Sequence, residues 1–249
     1  MERTDYDKLA SAYAQHRRIN PAVLGELVSS GNITENSKVL EVGCGTGNYV
    51  IELNSGTGCQ SWGIDPSEQM LLKARERSRT VNFQLGDGEG LQFSDSFFDL
   101  VLSVDVIHHL ARRSVFFREA FRMLRPGGRI CTVTDSEQII RHREPQSVYF
   151  PKTVEVELRR YPSIGELRDT MVSEGFLEIK EKMVKFPYEL LDIQAYRDRA
   201  FSSLLLISEE DFQRGLERME KDLARGPIRG VSRYLLLWGT KTKGPRRPQ

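Results

Sequence analysis

The chain has 249 residues, enough to bury a large core as one domain, and its 39% hydrophobic and 29% charged residues are those of an ordinary globular protein. A formal charge of +1 removes any global electrostatic case for nucleic acid or a membrane surface as partner. The N-terminal MERTDYDKLASAY is charged where a signal peptide needs an apolar core, no segment has membrane-spanning length, and Cys44, Cys59 and Cys131 form no CxxC pair, so a reducing cytoplasm is expected.

Short apolar runs alternate with helical patterns, which predicts βαβ units and a parallel sheet. The buried run SKVLEV (37–42) reads as strand one, and the glycine loop behind it opens a helix near 48–54. QSWGI (60–64) is strand two, and Pro66 and Ser67 start a helix to about 79 with Met70, Leu71 and Ala74 facing a core. VNFQL (81–85) and FDLVLSV (98–104) are strands three and four. A helix over 112–124 ends at MLRPGG and precedes strand five at 129–134. Residues 135–162 are aromatic and charged without a period. A helix follows over 163–176, capped by Ser163 and closed by Gly175, then a strand over 177–186. Helices over 189–207 and 208–225 precede a last strand at 232–240, and they interrupt what would otherwise be a terminal hairpin, so they are expected to cap a site. The tail from Lys241 carries four positive and no negative residues and reads as a solvated terminus.

The chemistry concentrates in VLEVGCGTGNY. Glycines at 43, 45 and 47 let the chain turn sharply after strand one and bring bare backbone against a ligand. A phosphate-cradling loop needs a Gly-Lys-Ser/Thr ending that is missing, and a dinucleotide fingerprint needs a third glycine where Asn48 stands. Glu41, beside the loop, is unwelcome next to a pyrophosphate and suits a ligand with a cationic ammonium and sulfonium, which tilts the reading toward S-adenosylmethionine. Asp65 ends strand two, where a carboxylate can accept both ribose hydroxyl protons. Asp87, after strand three, can accept from an adenine amino group.

VLEVGCGTG, GIDPSEQML, GDGEGLQF, FDLVLSVDVIHHL and MLRPGGRI together resemble the class I S-adenosylmethionine-dependent methyltransferases, over about residues 5–135. The nearest branch is the small-molecule one typified by quinone-biosynthesis enzymes. The resemblance implies an α/β, Rossmann-like doubly wound sheet of seven strands in order 3-2-1-4-5-7-6, strand seven antiparallel, with a helical cap. It implies one domain over 1–249, with lid helices in 1–30, a cofactor core in 31–135 and cap segments at 136–162 and 188–228. By the same resemblance Gly43 and Gly45, with Cys44 between them, approach the methionyl part of the cofactor and Glu41 lies nearby. Asp65 holds the ribose, Pro66 and Met70 pack on the adenine, and Asp87 with the backbone of Gly88 recognises the adenine edge. Val104 offers backbone to the amino group. Tyr13 and Arg17, on one face of an N-terminal lid helix, reach the cofactor.

Methyl transfer from a sulfonium is an in-line displacement, so the protein must mainly align the acceptor and exclude water. A base is needed only where the acceptor must lose a proton. His108 is the first candidate and His109 the second, just past strand four, with at most one of the two expected to face the site. Asp105 is a weaker one. His142 and Tyr149 are candidate acceptor-pocket residues, and the runs RHR (141–143) and RRY (159–161) could attract an anionic acceptor. No metal is expected, and the missing Asp/Asn-Pro-Pro-aromatic signature after strand four argues against methylation of nucleic-acid base amines. The expected function is methylation of a small molecule. A non-catalytic binding module and a protein or RNA methyltransferase are the alternatives, and a nicotinamide oxidoreductase is disfavoured by Glu41 and Asn48.

Overall fold

Seven strands run in the order β3-β2-β1-β4-β5-β7-β6, as expected. The computed structural model describes residue 16 and residues 18–242, so Tyr13 and Arg17 lie outside the described residues. β1 (Lys38–Val42), β2 (Gln60–Asp65), β3 (Asn82–Leu85), β4 (Phe98–Val104) and β5 (Leu124–Thr134) pair in parallel. β7 (Ile228–Thr240) lies antiparallel between β5 and β6 (Leu177–Leu190). The central strands are almost continuous apolar runs because helices cover both faces of the sheet.

On one face α1 (Pro21–Gly31) and α2 (Asn48–Thr57) pack Val23, Leu27 and Leu53 on Leu100, Leu102 and Trp238. On the other, α4 (Arg113–Met123) and α8 (Ile164–Ser173) pack Phe116, Ala120 and Met171 on Val101 and Ile130. The opposite facing of Leu100 and Val101 is the two-residue period of a strand. α3 (Glu68–Arg77) starts at Ser67, whose hydroxyl accepts from Met70 N at 3.1 Å, and it buries Met70, Leu71 and Ala74. In α8 the capping box of Ser163 and Glu166 fixes the start, and Gly175, at φ 99°, follows its end.

Two expectations fail. The stretch 135–162 holds three short helices, α5 (Glu137–Arg141), α6 (Gln146–Tyr149) and α7 (Lys152–Arg160). Two of them have five residues or fewer, too short to display a hydrophobic period. The segment 189–207 is not one helix. β6 continues to Leu190 because residues 187–190 pair with 228–231, and only α9 (Gln194–Arg197) and a 3-10 turn at Ser202–Leu205 follow. α10 (Glu209–Leu223) forms as expected. With α6 and α9 it encloses a separate apolar cluster of Phe150, Tyr196, Leu204 and Phe212.

Candidate active site

The carboxyl ends of the parallel strands open into a cavity of about 750 Å³. That volume is typical of a ligand pocket, and this edge of an open α/β sheet is where ligands bind. Its floor includes Gly43, Gly45, Asp65, Val104 and Asp135, and its far wall comes from β6, β7 and the segments after β5.

The glycine loop is pinned before it turns. Gly43 N and Cys44 N both donate to the Ile64 carbonyl, at 2.8 and 2.9 Å. Gly43 sits at φ 72°, and a Cβ there would lie 2.4 Å from Val106 Cγ2, so only glycine satisfies both backbone and packing. Asp65 ties the loop to the next helix. Its Oδ2 accepts from Gly45 N at 2.8 Å and its Oδ1 from Ser67 N at 2.9 Å. A carboxylate oxygen can accept more than one hydrogen bond. Pro66, Met70 and Val104 line the same cavity.

Glu41 lies deeper. It is 2% exposed, accepts from Val50 N at 2.8 Å, and lines a small hollow of about 30 Å³ beneath the loop with Arg18, Cys44 and Tyr49. Burial pushes its carboxyl up to about 8, with Asp65 adding to the rise. Cys44 faces this hollow and not the large cavity, and burial, then the Glu41 and Asp65 charges, push its thiol well up. Asp87 is exposed and spends Oδ1 on Glu89 N at 3.0 Å, a local turn contact. Neither Asp87 nor Gly88 lines the large cavity, so the structure does not bring this pair to the other candidates.

Both histidines line the cavity, against the expectation of one. They sit in a 3-10 turn, Ile107–His109, at the corner where the chain leaves β4. The His108 ring is stacked on Tyr161 at 4.0 Å and 17°, and its centroid is 3.9 Å from that of His109. Asp105, just before them, has φ 56°, a left-handed conformation that a short polar side chain tolerates.

The two proposed acceptor-pocket residues are elsewhere. His142 is exposed, with Nδ1 3.0 Å from the Gln138 carbonyl. Tyr149 is buried between α6 and α10 and donates its hydroxyl to Asp222 Oδ2 at 2.9 Å. The far wall instead presents Arg143, Glu144, Gln146 and Tyr161, with Tyr188 and Arg233 from the terminal hairpin. Sequence spacing gave no direct signal for these, although Arg143 and Tyr161 close the two basic runs and Asp135 directly follows a strand end.

The arginines of the two basic runs are each paired with a carboxylate. Arg141 pairs with Glu137 and Arg159 with Glu155 at the surface. Arg160 pairs with Glu157 at 3.3 Å in the interior. Arg143 is held by Asp135 and lies 3.9 Å from Glu157, and Arg233 is 3.4 Å from Glu144. Burial pushes the Asp135 carboxyl above the usual carboxylate range, against the pull of Arg143, and burial also pushes the Tyr161 phenol up.

Residues 40–132 match the model of a family described as a methyltransferase domain. The chain is 28% identical over 210 residues to phosphoethanolamine N-methyltransferase 1 of Arabidopsis thaliana, an alignment covering 79% of the chain and 36% of that protein. It is 24% identical over 206 residues to the demethylmenaquinone methyltransferase of Anoxybacillus flavithermus, covering 73% of the chain and 86% of the relative. Among solved structures it resembles phosphoethanolamine N-methyltransferase 2 of Haemonchus contortus in complex with S-adenosyl-L-methionine. There the TM-score is 0.63 at 19% identity, covering 97% of this chain and 59% of the other. The chain thus spans only about a third of the Arabidopsis protein and about three fifths of the Haemonchus one.

Proposed function

We propose that the protein transfers a methyl group from S-adenosylmethionine to a small-molecule acceptor, a reading supported by the match of residues 40–132 to a methyltransferase domain and by the strand order of the sheet. One observation carries the reading. Bare backbone at Gly43 and Gly45 and the doubly anchored Asp65 face one cavity, and these groups fit a nucleoside bearing an amino acid tail. Asp65 accepts from the ribose hydroxyls. Pro66 and Met70 cover the adenine, and Val104 offers main chain to the cofactor's amino group. Glu41 supports the loop from below. Cys44 serves through its backbone alone, and Asp87 and Gly88 reach an adenine edge only if the loop after β3 moves.

When bound, S-adenosylmethionine supplies a methyl on a sulfonium, and its transfer forms a bond to the acceptor atom as the carbon–sulfur bond breaks with the electron pair left on sulfur. The protein's part is alignment and exclusion of water, worth up to roughly 7–11 kcal/mol of barrier. His108, stacked on Tyr161, takes the proton from an acceptor hydroxyl or amine, and His109 is the second base. Titration calorimetry with S-adenosylhomocysteine tests the reading. Saturable one-site binding is expected, and no heat at millimolar ligand overturns it.

A further inference from the structure

The segments after β5 bring to the cavity wall two neutral polar side chains whose hydrogen-bonding capacity is only half used. Gln146, at the start of α6, is 4% exposed, and Ser203, in the 3-10 turn Ser202–Leu205, is 1% exposed. Both line the cavity. Gln146 Nε2 donates to Ser203 Oγ at 2.6 Å. Among the described residues, Gln146 Oε1 takes no hydrogen bond and the Ser203 hydroxyl gives none. Buried polar groups are costly to leave without partners, so a ligand in the cavity is the natural one.

The turn that carries Ser203 is held from behind. Ser202 Oγ accepts from Nη1 and Nη2 of Arg160, both at 3.3 Å, and Arg160 is itself paired with Glu157 in the interior. Gln146 is fixed on its own side. Tyr188 donates its hydroxyl to the Glu144 carbonyl at 2.8 Å, and Phe150 N donates to the Gln146 carbonyl at 2.8 Å. What the pair offers a ligand is one acceptor and one donor side by side, neither of them charged. Turning the amide over would exchange the two roles and keep one of each. A carboxylate here would set an oxygen against Gln146 Oε1, and an amidinium would set an N–H against the Ser203 proton. Neither ion would find a counter-charge on these two side chains to offset its desolvation. The charged side chains nearest in sequence, Arg143, Glu144 and Arg160, are each paired. Arg18 lines the cavity too, but at the glycine-loop end, where it also lines the small hollow with Glu41. Leu190, Ala195 and Ala200 line the same cavity and suit an apolar body for the ligand.

We infer that Gln146 and Ser203 form a specificity subsite for the acceptor, which takes an uncharged group that donates one hydrogen bond and accepts one, as a carboxamide does. Gln146 Oε1 receives the N–H or O–H of that group, and the Ser203 hydroxyl donates to its oxygen. This rests on the methyltransferase reading above and adds to it the chemistry of the group that anchors the acceptor.

Calorimetry on the full chain saturated with S-adenosylhomocysteine tests this with three probes of one shape: benzamide, benzoate and benzamidinium. Benzamide is expected to bind at least about tenfold more tightly than either ion, the equivalent of about 1.4 kcal/mol. Gln146→Glu keeps the size of the side chain and adds a negative charge, and it is expected to move the preference to benzamidinium. A side chain that only braced the fold would leave the ranking as it was. Ser203→Ala is expected to weaken benzamide more than either ion. The proposal is overturned if benzoate or benzamidinium binds the wild type as well as benzamide, if none of the three binds, or if Gln146→Glu leaves the ranking unmoved. Because the wild-type protein alone yields the ranking, a poorly folded variant does not remove the test. Failure of S-adenosylhomocysteine itself to bind sinks the underlying methyltransferase reading instead, and this inference with it.

Discussion

Asp65 performs two tasks with one carboxylate. It receives backbone donors from Gly45 and Ser67, which sets the shape of the loop, and it lines the cavity. Asp65→Ala removes all of these interactions together. Each charge-assisted bond to a ribose hydroxyl is worth about 1.5–3 kcal/mol, so S-adenosylhomocysteine affinity should fall by at least about tenfold in calorimetry. Unchanged affinity would contradict the ribose assignment. Asp65→Asn should fall between the two, because an amide keeps one accepting oxygen. This aspartate and the glycine at 43 were legible in the chain because local spacing dictates them: a strand end, then a turn that no side chain fits. Asp87 had the same local signature, and its side chain satisfies its own turn at the surface. A motif fixes where a side chain starts and leaves open where it points.

The segments between β5 and β7 show how short elements become ordered by one another. α6 and α10 meet at Gly215, where a Cβ would lie 2.4 Å from the Phe150 ring and 2.6 Å from the Tyr149 carbonyl. The contact is closed by the Tyr149–Asp222 hydrogen bond, and Gln146 Nε2 donates to Ser203 Oγ at 2.6 Å. Gly215→Ala therefore overpacks this joint, at a cost of about 1–3 kcal/mol in urea denaturation. It should weaken acceptor-side ligands while S-adenosylhomocysteine affinity stays near that of the wild type. Equal losses at both ends would show that the segment does not act on the acceptor side. His16 Nε2 lies 2.6 Å from Asp198 Oδ2, so this segment also meets the chain that precedes α1. None of this was readable from a hydrophobic period. Helices of four or five residues complete one turn, and their apolar side chains find partners remote in the chain.

For the molecule as a whole, the buried Glu41 predicts a measurable dependence of stability on pH. Its carboxyl stands at about 8 in the folded protein, against about 4.3 in an unfolded chain. Between those values the folded state binds the extra proton, so this group's contribution is fully present below the unfolded value and is lost as pH rises through 8. Urea denaturation of the wild type and of Glu41→Gln, compared at about pH 5 and about pH 8, should show the wild type losing roughly 2 kcal/mol or more relative to the variant. A constant difference between the two proteins would show that Glu41 is ionised throughout.

The first strands of the sheet, its glycine turn and the carboxylate at the end of β2 follow from the amino-acid sequence alone. Each is governed by neighbours a few residues away, through strand burial, turn conformation and helix capping. Only the tertiary structure decided the far wall of the cavity. It set Arg233 beside Glu144, laid Tyr161 on His108, and carried His142 and Tyr149 away from the site. Those placements come from contacts between segments distant in sequence, where burial and charge pairing, which no local pattern encodes, select the partner.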